Sequence, residues 1–390
     1  MKTWLLFAIA LSLGVSASER TETLELQMQR LLDRVCLEIG IPGATAAIAL
    51  PNGDLVSVAT GMRDIEDGKP MTPDTRMLAA SIGKSFVATI VLAIETDGLL
   101  SRSDLVADHL GDQAWFDRLP NHNTITVDHL LHHSAGLPDH VHDEEFAAEV
   151  TARSARGDEG LRPEQAIAFV LDTRPLFPAG AGWSYSDTGY LLLGLVIEAA
   201  TGQDYYDLLA ERLLDPLGLD ASSPSNRPQL ANLAVGYTLQ DNPFKLPPRT
   251  MDRAGNLLWD PATEWTGGGL VTTSRDLAAW GRALFSGTAL DSPYLDRLLD
   301  GVPTSPDQPE QRYGAGVSIL KDSTRGPVYG HAGWIPGYVS SLRHYPNHGV
   351  TVAFQINTDR GLADRESSVV DNLEAALEDM AIAAVKTIKN

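Results

Sequence analysis

S-I-G-K-S-F-V-A-T-I-V-L-A-I-E, residues 81–95, is the stretch on which the reading of the fold turns. It is apolar almost all round, which predicts a buried helix from Ser81 to about Asp97. A lysine inside such a helix must find a partner or lose its proton, because an unpaired buried ammonium is costly. Helical residues three apart share a face, so Lys84 reaches the Ser81 hydroxyl and is placed to accept or relay its proton. Ser81 also follows the small pair Ala79-Ala80 at the helix start, where backbone amides and the dipole favour developing negative charge. The plainer alternative is an N-cap serine followed by a solvated lysine. The same spacing recurs at Ser318-Ile319-Leu320-Lys321. That run is strand-like, residues three apart point to opposite faces, and Ser318 reads as structural.

Working outward, Leu24, Met28, Leu31, Leu32, Val35, Cys36 and Ile39 recur at helical spacing and predict an amphipathic helix over 22–40. A-T-A-A-I-A-L, a P-N-G-D turn and L-V-S-V-A-T then read as a β-hairpin. Near the other end, Y-G-A-G-V-S-I-L, Y-V-S-S-L-R-H-Y and V-T-V-A-F-Q-I-N read as consecutive strands, followed by a helix from about Asp364 to Lys386. The middle, 98–264, alternates short helix patterns with Pro- and Gly-rich connections. The expected fold class is therefore α/β (α+β): an antiparallel sheet built from both chain ends and flanked by helices, with an inserted, mainly helical lobe. The expected division is 18–97 with 265–390 as the sheet lobe, 98–264 as the helical lobe, and a catalytic cleft between them.

Met1-Lys2, the apolar run W-L-L-F-A-I-A-L-S-L-G-V and Ser16-Ala17 have the make-up of a secretory signal peptide over 1–17, too short to span a bilayer. An exported protein, periplasmic or secreted, is expected, with no membrane span once the leader is removed. A formal net charge of −21 disfavours nucleic acid and anionic membranes as partners. The single cysteine, Cys36, lies on the apolar face of the first helix and reads as a buried structural thiol rather than half of a disulfide. G-x-S-x-G, H-E-x-x-H and a Walker A loop are absent from the sequence.

Two more stretches complete the pattern. Y-S-D-T-G-Y, 185–190, follows the glycine-rich F-P-A-G-A-G-W and precedes an apolar helix-like run; Y-G-H-A-G-W-I-P-G-Y occupies 329–338. S-I-G-K, Y-S-D and H-A-G in this order resemble the three-element signature of serine β-lactamases and penicillin-recognising peptidases. The wording of 125–138 and 266–280 is similar to the class C β-lactamase, D-alanyl-D-alanine carboxypeptidase and esterase group. The likeness runs from about residue 25 to 360. It implies Ser81 as a nucleophile forming an acyl-enzyme, with Lys84 and Tyr185 sharing general-base and general-acid work. It implies an oxyanion hole from the backbone amides of Ser81 and Trp334, beside Gly333, and places His331 where β-lactamases have the lysine of K-T-G. Histidine near its reference pKa of ~6.5 is mostly neutral at pH 7, so binding of a substrate carboxylate is weakened there. The group usually has asparagine where this chain has Asp187. An ionised aspartate only accepts hydrogen bonds. Set close to Lys84, it is expected to keep that amine protonated, to shift base work to Tyr185 and to disfavour anionic substrates. Ser186 is expected to cap the following helix while Tyr185 and Asp187 face the cleft.

The expected activity is hydrolysis through a Ser81 acyl-enzyme, of the D-Ala-D-Ala carboxypeptidase or D-amino-acid peptidase kind, on a small-molecule or peptide substrate. Carboxylesterase action on short-chain esters, weak β-lactamase action and a non-catalytic binding protein on the same fold are the alternatives. His129, His132, His133, His140 and His142, beside Asp139, Asp143 and Glu144, raise a metal-hydrolase reading, but their spacing fits no standard site. Neither a metal nor another cofactor is expected, and the sequence leaves the oligomeric state open.

Overall fold

The computed structural model describes residues 17–239, 242–290, 293–359 and 369–389, with side chains described from 23 to 386 within these ranges. The expected leader therefore lies outside the described residues apart from Ala17, as does the expected start of the last helix, 364–368. Among the described residues no helix is long and apolar enough to cross a membrane.

The longer helices are α1 (Ala17–Ile39), α2 (Gly83–Thr96), α3 (Glu144–Arg156), α4 (Asp187–Thr201), α5 (Ser274–Phe285) and α6 (Val369–Lys389). The strands are β1 (Gly43–Ala49), β2 (Leu55–Asp64), β3 (Lys69–Pro70), β4 (Met77–Leu78), β5 (Ser223–Pro224), β6 (Leu270–Thr272), β7 (Val302–Pro303), β8 (Gln311–Tyr313), β9 (Ser318–Leu320), β10 (Val328–Ile335), β11 (Tyr338–Tyr345) and β12 (Val350–Ile356). Nine form one antiparallel sheet in the order β3-β2-β1-β12-β11-β10-β9-β8-β7, which brings the two chain ends side by side at β1 and β12. Ala46 pairs with Phe354 on one side and Val58 on the other. A smaller sheet, β4-β6-β5, leads into α2.

Strand alternation sorts the core. Ala46, Ile48, Val56, Val352 and Phe354 point to the face covered by α1 and α6, whose Met28, Leu32, Leu373 and Leu377 pack there. Ala47, Ala49, Leu342 and Ala353 point to the opposite face, covered by α5 and by the helical layer that contains α2 and α4. Burial of each large aliphatic or aromatic side chain stabilises this arrangement by roughly 1.5–3 kcal/mol. Helix α2 lies deepest. Phe86 stacks on Trp280 of α5 with ring centroids 3.9 Å apart, and the Trp280 indole donates to Ser85 Oγ at 2.9 Å. A third cluster joins Leu230, Leu233, Met251 and Trp259 to Met77, Ala80, Ile335 and Tyr338.

The expected strand 313–320 is divided in two. β8 ends at Tyr313 and β9 begins at Ser318, and Gly314 N donates to Val317 O at 2.8 Å to close the turn between them. The reason is the glycine pair: Gly316 has φ +69°, and a Cβ there would meet the Lys84 carbonyl at 2.5 Å. The H-A-G stretch lies inside β10, which begins three residues before His331. Cys36 is half-buried on α1, and burial pushes its thiol up to about 12.

Candidate active site

Ser81 is carried on a 3-10 turn, Ala80–Ile82, that runs directly into α2. Ala80 holds φ +51°, a conformation that costs an L-residue energy and persists only where its surroundings fix it. Here the surroundings are backbone. A Cβ on Gly268 would come within 2.5 Å of the Ala80 carbonyl carbon, and one on Gly333 would collide with Ala79 O and Ser340 Oγ. Ser340 Oγ donates to Ala79 O at 2.7 Å. The two glycines thus let β10 and the 266–269 segment close on the turn that presents Ser81.

Beyond Gly330, β10 has no strand partner on its β9 side, because pairing with β9 covers only Val328–Gly330. His331, Gly333 and Trp334 therefore lie on an open strand edge beside the serine turn, with β11 on the other side. Strand geometry directs backbone amides along such an edge. Ser81 supplies its own amide close by.

Lys84 is fully buried, and its ammonium donates to Ser81 Oγ at 3.2 Å and to the carbonyl of Gly267, and forms an ion pair with Asp187. It also lies 5.0 Å from the Tyr185 ring centroid and 5.4 Å from that of Tyr190. Burial works to lower the amine's pKa, but the Asp187 charge, followed by Tyr185, outweighs it and the amine is held above its usual value. For the Tyr185 phenol burial is the largest influence and raises it, with Lys84 pulling the other way. The hydroxyl is buried without a hydrogen bond of ordinary geometry, although Lys84 and Ser81 lie close enough to act on it. Tyr185 is thus a phenol at rest, with Lys84 near enough to exchange its proton.

The helix start at 186–187 also differs from expectation. Ser186 occupies the cap position, but its hydroxyl donates to Pro138 O at 3.1 Å and its side chain caps nothing. The amide of Asp187 is instead capped from another segment, by Asp139 Oδ1 at 3.2 Å. That leaves the Asp187 carboxylate free to face Lys84. Asp139 is itself buried, and burial followed by the charge of Asp187 raises its pKa. Glu264 is a third carboxyl nearby: burial, then Asp187, push it up to about 7. A Cβ placed on Gly267 would lie 3.5 Å from Asp187 Oδ1 and 3.9 Å from Glu264 Oε2, so the two acids flank the same point.

Burial, followed by the Lys84 charge, lowers His331 to about 3, so its ring is neutral. Its Nδ1–H donates to Ala332 O, and its Nε2 accepts the Tyr313 hydroxyl at 2.9 Å. Both nitrogens are used within the protein, which leaves this ring nothing to offer a substrate carboxylate. His133 fills the space behind, 4.1 Å from the Tyr185 ring and 4.6 Å from that of Tyr313, with Nδ1 accepting the Ser186 amide at 3.2 Å. A cavity of about 840 Å3 opens beside this group, lined by Trp183, Tyr185, Tyr313 and His331 and running toward Glu374 of α6. It reaches Tyr185 and His331 but does not extend over Ser81. Its cations are engaged: Arg343 with Glu374, Arg325 with Glu378 and Asp379, and Arg312 with Gly301 O.

The histidine run is dispersed into structure. His132 Nδ1 meets Asp128 O at 2.9 Å, His140 Nδ1 meets Thr188 Oγ1 at 3.0 Å, and the His142 ring is exposed. No group of three His, Cys, Asp or Glu among the described residues is placed to hold a metal ion.

Residues 24–377 match the family model described as Beta-lactamase. The chain belongs to the Beta-lactamase family. Penicillin-binding protein 4 of Amycolatopsis lactamdurans is 28% identical over 357 residues, covering 84% of this chain and 84% of that protein. D-aminopeptidase of Brucella anthropi is 25% identical over 328 residues, covering 83% of this chain but 57% of the longer relative. Among solved structures, a D-stereospecific amidohydrolase from Streptomyces sp. shares 27% identity with a TM-score of 0.73, covering 86% of this chain and 94% of that one. With these relatives, this Beta-lactamase family chain is a serine hydrolase.

Sequence reasoning placed Ser81, Lys84, Tyr185, Asp187, His331, Gly333 and Trp334, and the fold brings their segments together. It missed Glu264, Gly267 and Tyr313, and it met Asp139 only inside the histidine run. The signals were faint: an acid three residues before a glycine triplet, and a tyrosine at the head of Y-G-A-G.

Proposed function

We propose that the protein hydrolyses amide bonds next to an amino-terminal D-amino acid, through a Ser81 acyl-enzyme formed in the cleft between the sheet lobe, 18–97 and 265–390, and the helical lobe, 98–264. Ser81 Oγ attacks the substrate carbonyl, and the amides of Ser81 and Trp334 take the charge that develops on its oxygen. As Oγ attacks, Lys84 passes a proton to Asp187 and takes the one Ser81 gives up. The leaving nitrogen receives its proton from the Tyr185 phenol, which Lys84 replenishes. Water then attacks the ester by the same route in reverse.

The observation that carries the choice of substrate is the charge around Lys84. The Lys84 charge is matched by Asp187, the neighbouring Asp139 and Glu264 carboxyls are held toward their protonated form by burial and by the charge of Asp187, and His331 is neutral with both nitrogens engaged. A cleft with no free cation among its described residues disfavours a substrate that ends in a carboxylate beside the scissile bond, and its carboxyl groups can accept from a substrate ammonium. This ranks an amino-terminal D-peptidase or amidase above a D-Ala-D-Ala carboxypeptidase, and the names of the Brucella and Streptomyces relatives support the D-configuration. Export through the 1–17 leader completes the proposal.

A matched substrate panel tests it by kcat/KM: D-alanine p-nitroanilide, its L-enantiomer, its N-acetyl derivative, an N-acylated D-Ala-D-Ala peptide, a short-chain p-nitrophenyl ester and a cephalosporin. The expected leader is the D-anilide with a free amine, with N-acetylation costing about tenfold or more, the worth of about one charge-assisted hydrogen bond. A preference for the N-acylated peptide, or an ester rate indifferent to the amine, would overturn the assignment.

A further inference from the structure

Four strand spacings from β10 along the sheet, roughly 19 Å at 4.7–4.9 Å each, the end of β2, the start of β3 and the segments 227–235 and 249–255 enclose a second cavity, of about 570 Å3. Its floor is apolar: Leu230, Leu233 and Met251 are buried members of the cluster that also packs Ala80 and Ile335. Its walls are unusually cationic for a chain of net charge −21. Arg63, Lys69, Arg227, Arg249 and Arg253 line it, against the three carboxylates Asp64, Asp67 and Asp252.

The carboxylates are all engaged. Arg249 holds Asp64, with Nη1 to Oδ1 at 2.8 Å, and keeps its carboxyl down at about 2. Arg249 also pairs with Glu66, just outside the cavity, and Lys69 pairs with Asp67 at 2.6 Å. Asp252 accepts from the amides of Ala254 at 2.8 Å and Asn256 at 2.9 Å and from the Asn256 side chain at 2.9 Å. Three guanidinium groups are left over. Among the described residues Arg63, Arg227 and Arg253 form no ion pair; Arg63 donates to Asn232 Oδ1, and Arg227 and Arg253 are exposed. Three guanidiniums gathered at one cavity repel one another, and among the described residues no carboxylate is paired with any of them.

We propose that this cavity is a binding site, separate from the hydrolytic centre, for a small ligand carrying two or more phosphoryl groups. A guanidinium presents a planar fork of donors, and a phosphoryl group offers three oxygens to several forks at once, whereas a carboxylate is saturated by one. The side-chain amide of Gln229 also lines the cavity and is placed for the neutral part of a ligand. The volume lies within the roughly 300–1,000 Å3 of small-molecule sites.

Titration calorimetry of the full chain with sodium tripolyphosphate tests this, with citrate as the carboxylate counterpart, about one charge short of it near neutral pH. The expected result is one saturable site that binds tripolyphosphate about tenfold or more tightly than citrate. Arg227→Ala/Arg253→Ala should weaken it by about tenfold or more, the loss of two charge-assisted donors, while hydrolase activity, a check on folding, stays unchanged. Absence of a saturable site, equal affinity in the double variant with hydrolysis intact, or citrate binding as tightly as tripolyphosphate would each overturn the proposal.

Discussion

Asp187→Asn is the perturbation that separates this chain's chemistry from a generic serine–lysine arrangement. Lys84 is fully buried, and its proton is retained because the Asp187 charge outweighs the cost of burial. With an amide in that place, burial is no longer outweighed. Full burial lowers a lysine by up to about 3–5 units from its reference of about 10.4, and the Gly267 carbonyl and Ser81 Oγ return part of that. An apparent pKa of roughly 6–8 follows for Lys84 in the variant. The substituted amide cannot receive the proton that Lys84 passes on, so Lys84 must shed it to solvent before each turnover. The pH profile of kcat/KM on the D-anilide should therefore gain an acidic limb near pH 7 that the wild type lacks. By pH 5, about two units below, the variant should have lost about 100-fold of its plateau rate. The free amine should also count for less, so the penalty for N-acetylation should shrink. Profiles recorded from pH 5 to 9 for both proteins check this. Superimposable profiles with an unchanged substrate ranking would refute the ion pair's role in proton transfer.

The oxyanion strand and the third acid give two further tests. Gly333→Ala puts a methyl group against Ala79 O and Ser340 Oγ, and the β10 edge must retreat from Ser81. A loss of about 10²–10³ in kcat with little change in KM is expected, the effect of one misplaced oxyanion donor; wild-type kcat would show that the edge is not in use. Glu264 is raised to about 7 from 4.5, so the folded state holds its proton more tightly than the unfolded chain does. Its contribution is then most favourable below about pH 4.5 and declines as pH rises to about 7. Glu264→Gln should remove that decline, about 1–3 kcal/mol at 1.36 kcal/mol per unit for a half-buried group, leaving the variant more stable relative to wild type at pH 8 than at pH 4.5. Denaturant unfolding at the two pH values measures the difference, and a constant gap would show that Glu264 is not titrating in this window.

Much of this was legible because the strongest signals are local. The apolar run after Ser81 could only be a buried helix, and the buried lysine in it demanded a partner. The runs 338–345 and 350–357 set two central strands, the first with the bounds the structure has and the second one residue longer than β12. What escaped were features that depend on distant segments. The sequence around Y-S-D shows a serine fit to cap, but its hydroxyl is drawn to Pro138 O, 48 residues earlier in the chain. Tyr185 reads as a possible base from its place beside the motif, and only packing reveals the burial that pushes its phenol up. His331 reads as a weaker partner for a substrate carboxylate than lysine, but nothing in the sequence shows that Tyr313, from the strand before the Gly314–Gly316 turn, engages its second nitrogen. Strand division itself turned on Gly316 meeting the backbone of α2, a contact that no periodicity encodes.

The central claim is that Ser81 becomes acylated. Intact-protein mass spectrometry after rapid acid quench of a reaction with a D-aminoacyl p-nitrophenyl ester, followed by peptide mapping, tests it most directly. The account predicts one aminoacyl group per chain, located on the peptide that contains Ser81 and absent from Ser81→Ala, which should also lose hydrolysis. An acyl group on another residue, or undiminished hydrolysis by Ser81→Ala, would contradict it.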